Sequence, residues 1–241
     1  MSRQRHIVVF GGGGFLMDAG DTRLDDYALR LSGRRRPKIC FVPTASGDNP
    51  GNIERFYGAF PTRRALASHL PLFRREFDTR SLEEYVLGQD VIYVGGGNTA
   101  NALAVWRVHG VDRLLRRAWS AGTILMGVSA GMICWFEGGV TDSFGRPLGA
   151  VRNALAFLSG SACPHYDGEG DRRATFHRLV SRGPVRGLPS GVAADDGAAI
   201  HYVGRRIAAV VASRPSARAY AVRLVGGKVI ETPLEARRLR K

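Results

Sequence analysis

Thr123-Ile124-Leu125-Met126-Gly127-Val128-Ser129-Ala130-Gly131-Met132-Ile133-Cys134-Trp135-Phe136 joins a short apolar run to a second one through a serine bracketed by glycines. The first run reads as a buried strand and the second as the start of an apolar helix. Residues 127–131 between them are G-x-S-x-G. Small residues on both sides of the serine let the backbone turn sharply, so that Oγ stands above the sheet and faces a substrate. The helix start and the amide of Ala130 would present positive dipoles to an oxyanion. A strand leading through a tight turn into a helix is also the building unit of an α/β fold.

Strand and helix signals alternate on either side of this unit, which argues for a mostly parallel sheet covered on both faces. Strands are expected at 6–10, 38–43, 72–77, 90–94 and 123–126, with helices at 24–31, 53–70 (broken near Pro61), 100–109, 111–120 and 172–181. The last third reads as short strands at 159–164, 191–194, 198–202, 219–225 and 228–231, with Gly226-Gly227 as a hairpin turn. No repeat or linker interrupts the chain, so residues 1–241 are expected to form one domain.

The bulk numbers exclude several classes. At 241 residues and 44% hydrophobic content the chain can bury a full core. No apolar run is long enough to span a membrane, and the start lacks a signal-peptide pattern. The three cysteines, Cys40, Cys134 and Cys163, are odd in number and widely spaced, which suits a reducing cytoplasm. No C-x-x-C calls for zinc. The formal charge of +14 could attract nucleic acid. Its dense clusters are brief, however, and no recognition motif or aromatic-interleaved patch accompanies them, so a solvated basic surface is expected instead. Gly11 to Gly14 would invite a dinucleotide, but G-x-G-x-x-G needs glycine where Leu16 or Met17 stands. A tight turn lining a cleft is expected there, and neither cofactor nor metal is called for.

Gly95-Gly96-Gly97-Asn98-Thr99 ends another strand at the sheet edge where α/β proteins bind ligands. The amide of Gly96 or Gly97 could join that of Ala130 in an oxyanion hole, and Asn98 could hold a substrate amine or carbonyl. The plain alternative makes Asn98 or Thr99 the cap of the next helix. Among six histidines, His165 in Cys163-Pro164-His165-Tyr166-Asp167 lies in a polar loop after a strand, where a base for Ser129 is expected. Glu137, Asp142 and Asp167 are the nearby acids. A continuous helix would carry Glu137 about 12 Å from the serine, but Gly138-Gly139 lets the chain turn back.

These motifs as a set resemble the peptidase E group of serine peptidases (family S51, aspartyl dipeptidases), relatives of cyanophycinase with a fold like class I glutamine amidotransferases. Ala194-Asp195-Asp196-Gly197-Ala198-Ala199 and Gly227-Lys228-Val229-Ile230-Glu231 look like the family's closing strands. The resemblance implies a three-layer αβα sandwich of flavodoxin-like topology and a homodimer. It implies a Ser-His-Glu triad, carried here by Ser129, His165 and Glu137. It also implies dipeptide substrates with N-terminal aspartate, for whose carboxylate Arg172 and Arg173 are candidates. A cyanophycinase-like or other acyl hydrolase, and a silent binding protein on the same scaffold, are the alternatives.

Overall fold

The computed structural model describes residues 4–18, 20–73 and 81–240. The chain begins with β1 (His6–Phe10), α1 (Arg23–Arg30), β2 (Lys38–Val42) and a 3-10 turn at Thr44–Ser46. α2 (Pro50–Ala59), β3 (Leu66–His69), α3 (Leu82–Leu87), β4 (Val91–Val94), α4 (Thr99–His109) and α5 (Val111–Ser120) lead to β5 (Ile124–Val128) and a single turn, α6 (Ala130–Ile133). There follow β6 (Gly138–Thr141), β7 (Gly149–Arg152), β8 (Ser161–Cys163), α7 (Arg172–Ser181), α8 (Gly183–Arg186) and β9 (Gly191–Ala194). The chain closes with β10 (Ala198–Val203), β11 (Arg206–Ala212), β12 (Ala219–Val225), β13 (Lys228–Leu234) and β14 (Arg237–Arg238).

Eight strands form the first sheet in the order β14-β11-β10-β1-β5-β4-β2-β3, and β1, β5, β4, β2 and β3 run parallel. The run β3-β2-β4-β5 repeats the 2-1-3-4 order of flavodoxin-like sheets, whose chain reverses direction between β2 and β4. Alternate residues of β1 serve opposite faces. Ile7 and Val9 join a core with Trp106, Leu115 and Trp119 of α4 and α5, while Val8 and Phe10 join one with Leu24, Ala28 and Phe56 of α1 and α2. Helices therefore cover both faces, which makes the three-layer αβα sandwich.

The pattern predicts one sheet and the structure has two. β10 pairs antiparallel with β1 and, with β11, closes that side of the parallel block. β8 and β9 instead build a second, six-stranded sheet, β13-β12-β9-β8-β6-β7, in which β6, β8 and β9 are parallel. Ala162 and Val192 turn one face of it to the main core, while Cys163 and Ala193 pack with Phe176, Leu179 and Val180 of α7. Two local readings also change. The helix expected over 53–70 ends at Ala59, and Leu66–His69 is an edge strand on β2. The strand expected at 72–77 falls mostly outside the described residues, and Leu72 and Phe73 are not in a strand. Among the described residues no helix is long and apolar enough to cross a membrane, and no cluster of three or more His, Cys, Asp or Glu could hold a metal ion.

Candidate active site

The elbow closes tightly because the backbone comes too close for a side chain at Gly127 and at Gly131. A Cβ on Gly127 would lie 2.4 Å from the carbonyl oxygen of Gly131, and one on Gly131 would lie 2.2 Å from that of Val94. Ser129 between them is held at φ 57°, ψ −112°, a region in which a non-glycine residue costs on the order of 1–3 kcal/mol. Packing offsets that cost: the Ser129 amide donates to the Phe10 carbonyl at 3.3 Å, and the Ser129 carbonyl accepts the amides of Met132 and Ile133 at 2.8 and 3.1 Å.

The turn after β4 lies against Ser129. A Cβ on Gly96 would be 3.2 Å from Ser129 Cβ and 3.7 Å from Oγ. Among the described residues the amides of Gly96, Gly97 and Ala130 donate to no protein acceptor. Gly96 and Ala130 thus flank Ser129 with unspent donors. Gly97 is exposed, at φ 130°, and a Cβ on it would lie 2.2 Å from the Ala45 carbonyl oxygen of the 3-10 turn, so only glycine fits there. Asn98 is engaged within the protein. Its Oδ1 caps α4 by accepting the Asn101 amide at 2.9 Å, and its Nδ2 donates to the Ser143 carbonyl at 3.0 Å. The capping alternative holds because both ends of the carboxamide are engaged.

His165 stands beyond the end of β8. Its amide donates to the Gly11 carbonyl at 3.2 Å, so Ser129 and His165 hang from consecutive carbonyls at the end of β1. Its Nδ1–H donates to Asp196 Oδ1 at 2.7 Å, with both side chains largely buried. A carboxylate can only accept, which assigns the proton to Nδ1 and leaves Nε2 as the free lone pair. Among the described residues neither Ser129 Oγ nor His165 Nε2 has a hydrogen-bond partner. The hydrogen bond from His165 holds the Asp196 carboxyl below its ordinary range against the opposing effect of burial, and the charges of His165, Arg214 and Arg172 act in the same direction. Asp167 supports the pair from behind by accepting the Asp196 amide at 2.9 Å. The first glycine run lines this pair: a Cβ on Gly12 would be 1.9 Å from Asp196 Oδ1 and 2.9 Å from His165 Nδ1.

The acid beside His165 is therefore Asp196, and the expected contact with Glu137 is not made. Glu137 is exposed, and its amide bonds the Gly160 carbonyl at 3.0 Å, at the start of β6. β6 and β8 are parallel, so His165, five residues beyond Gly160 at about 3.3 Å each, lies roughly 16 Å further along. Gly138-Gly139 does not turn the chain back; it continues as β6, where a Cβ on Gly139 would strike the Ala162 carbonyl at 2.3 Å. Asp142 is exposed in a turn and Asp167 serves Asp196 rather than His165. The signal for Asp196 was an acidic pair, Asp195-Asp196, before a glycine at a strand end. It becomes readable once Cys163 is known to pair with Ala193, which brings the ends of β8 and β9 side by side.

The two arginines are also engaged elsewhere. Arg172 is 3% exposed, binds Glu169 through Nε at 3.0 Å and Nη2 at 3.2 Å, and donates Nη1 to the Val140 carbonyl at 3.1 Å. Arg173 pairs with Glu231 and lies over the rings of Tyr166 and Tyr220. Neither presents an unpaired guanidinium to the elbow.

Known proteins align over this whole arrangement. The profile of Peptidase family S51 matches residues 7–210. An uncharacterized peptidase of Bacillus subtilis (strain 168), YgaJ, is 48% identical over 235 residues, which cover 98% of this chain and 99% of that one. A crystal structure of a peptidase from an acI-B1 actinobacterium superposes with a TM-score of 0.68 at 17% identity, over 98% of this chain and 96% of that one. A putative peptidase E protein from Listeria monocytogenes EGD-e does so with a TM-score of 0.57 at 17% identity, over 96% and 100%. At that identity the two structures speak for the fold alone.

Proposed function

Since the chain belongs to peptidase family S51 and is a peptidase on that ground, we propose that it is a serine-type enzyme acting on short peptides through Ser129, His165 and Asp196. The observation that carries this reading is the 2.7 Å bond from His165 Nδ1 to Asp196, on a histidine hung beside the strained elbow. Ser129 Oγ attacks the scissile carbonyl as His165 Nε2 takes its proton. The amides of Ala130 and Gly96 stabilise the tetrahedral oxyanion. His165 then gives the proton to the leaving amine, water hydrolyses the acyl-enzyme by the same route, and Asp196 holds the imidazolium in register throughout. The Ser–His hydrogen bond forms with substrate, as catalytic hydrogen bonds commonly tighten only then.

For substrate, the resemblance to aspartyl dipeptidases favours dipeptides with N-terminal aspartate, and the +14 charge would steer acidic molecules toward the protein. A second reading, an acyl hydrolase of different specificity, is favoured by the engagement of Arg172 and Arg173 with Glu169 and Glu231. Hydrolysis of Asp-X, Glu-X and Ala-X dipeptides separates the two, and turnover indifferent to aspartate would discard the first. Absence of fluorophosphonate labelling at Ser129 would discard both in favour of a silent scaffold. Cys40, Cys134 and Cys163 are buried and not joined in disulfides among the described residues, which supports a reducing compartment such as the cytoplasm. The homodimer is tested by light scattering against the 26.2 kDa chain mass.

A further inference from the structure

Far from the elbow, the junction of α4 and α5 and the loop before β8 enclose a groove of about 330 Å³ lined by Arg107, Arg113, Arg116 and Arg117, with Leu155 and Phe157 as its apolar wall. Its volume lies at the lower end of the range for small-molecule sites, about 300–1,000 Å³. α4 starts beside the catalytic turn, and Arg107 lies eight residues along it, about 12 Å down the axis. We propose that this groove binds a compact polyanion carrying two or more linked phosphates.

Three observations support it. First, the charge is concentrated. Four guanidinium groups meet one lining carboxylate, Asp112, and one paired neighbour, Glu83, which bonds Arg117 at 2.6 Å. Second, two of the arginines are held in place. Arg107 donates to the Asn153 carbonyl, and Arg116 donates to that of Leu155 at 2.6 Å while lying 4.3 Å over the Phe157 ring, itself stacked on Trp119. A braced guanidinium loses less entropy on binding than a free one. Third, each of these bonds uses one of five N–H donors, so the forks keep donors for phosphate oxygens, which they match two at a time.

Calorimetry with inorganic tripolyphosphate tests the proposal at about 150 mM salt, where long-range surface attraction is screened. The expected result is saturable one-to-one binding, weakened at least tenfold in Arg107→Glu/Arg113→Glu. It should be retained within about twofold in Arg35→Glu/Arg36→Glu, which changes charge equally on another basic cluster. Equal weakening in both variants, or no binding to the wild type, overturns the proposal. If the double variant does not fold, Arg113→Ala replaces it, with a threefold loss expected and an unchanged Kd overturning it. A nucleoside triphosphate and a short single-stranded oligonucleotide separate the sources. Binding of the triphosphate like tripolyphosphate assigns recognition to the phosphate tail, whereas binding of the oligonucleotide alone overturns the compact-anion site.

Discussion

His165 Nδ1 donates to Asp196 Oδ1 at 2.7 Å directly over the α-carbon of Gly12, with no space between them for a methyl group. This contact joins the second sheet to the end of β1 in the first. It makes Asp196 the group that sets the tautomer and orientation of the imidazole. Asp196→Asn should keep the fold and lower kcat by about 10³–10⁴, the scale reached when a triad carboxylate is replaced by its amide. Glu137→Gln should change kcat by less than twofold. Steady-state kinetics of both variants on one dipeptide substrate decide it, and equal losses would remove Asp196 from its role.

Gly12→Ala probes the same contact from below. The added Cβ would fall 1.9 Å from Asp196 Oδ1, so the carboxylate or the strand end must shift. A displacement near 1 Å at a catalytic group costs on the order of 10² in rate. The expected outcome is that loss in kcat with KM little changed. Wild-type kinetics in the alanine variant would show that the pair tolerates displacement.

Ser129→Gly should abolish hydrolysis and stabilise the protein. Glycine adopts φ 57°, ψ −112° without the serine's steric cost, so a gain of about 1–2 kcal/mol is expected. Urea unfolding of the two proteins measures it. A glycine variant less stable than the wild type would mean that the Ser129 side chain makes contacts worth more than the strain.

Arg172 and Arg173 separate structure from specificity. Arg172→Ala removes a buried guanidinium and leaves the Val140 carbonyl without its donor, while the half-exposed Glu169 keeps Arg146, so the loss should be about 1–3 kcal/mol. Arg173→Ala, at an exposed pair, should cost less than about 1 kcal/mol. The ratio of kcat/KM for Asp-X over Ala-X should stay within threefold in Arg173→Ala; a tenfold fall would return that residue to the substrate site.

Asp25 gives the protein a pH dependence away from Ser129, His165 and Asp196. Its carboxyl is completely buried in α1; Oδ2 accepts the Phe15 amide at 3.0 Å, while among the described residues Oδ1 has no hydrogen-bond donor within reach. Burial pushes it up from 3.8 to about 7, against the pull of Arg64 and the Phe15 amide. The folded state thus holds the proton after the unfolded chain has released it. This group costs nothing below about pH 4; its penalty grows from about pH 4 to 7 and then levels off. At 1.36 kcal/mol per pH unit the full penalty is roughly 4 kcal/mol. Asp25→Asn keeps an acceptor for Phe15 and removes the titration, so its advantage over the wild type should grow between about pH 4.5 and 7.5. An advantage constant across that range would overturn the assignment.

Local chemistry determined what the sequence alone makes legible. Strand and tight turn at 123–131 follow from an apolar run and paired glycines, and the apolar run after them makes a single helical turn, Ala130–Ile133. The serine of G-x-S-x-G, the flanking glycine of β4 and the histidine after β8 lie at strand ends that the pattern marks. These signals are short-range, and every one of them is realised within a few residues of where it is written. What only the tertiary structure decided is who meets whom. Glu137 stands eight residues from Ser129 yet at the opposite end of the second sheet's strands from His165, because β6 and β8 run parallel and a strand carries its two ends apart. Asp196 stands thirty-one residues after His165 and touches it, because the Cys163–Ala193 register brings two parallel strand ends together. Asn98 and Arg172 have the chemistry of substrate ligands, and packing gives the first to a helix cap and buries the second against Glu169 and the Val140 carbonyl. Sequence spacing measures distance along the chain, and pairing register resets that distance in space.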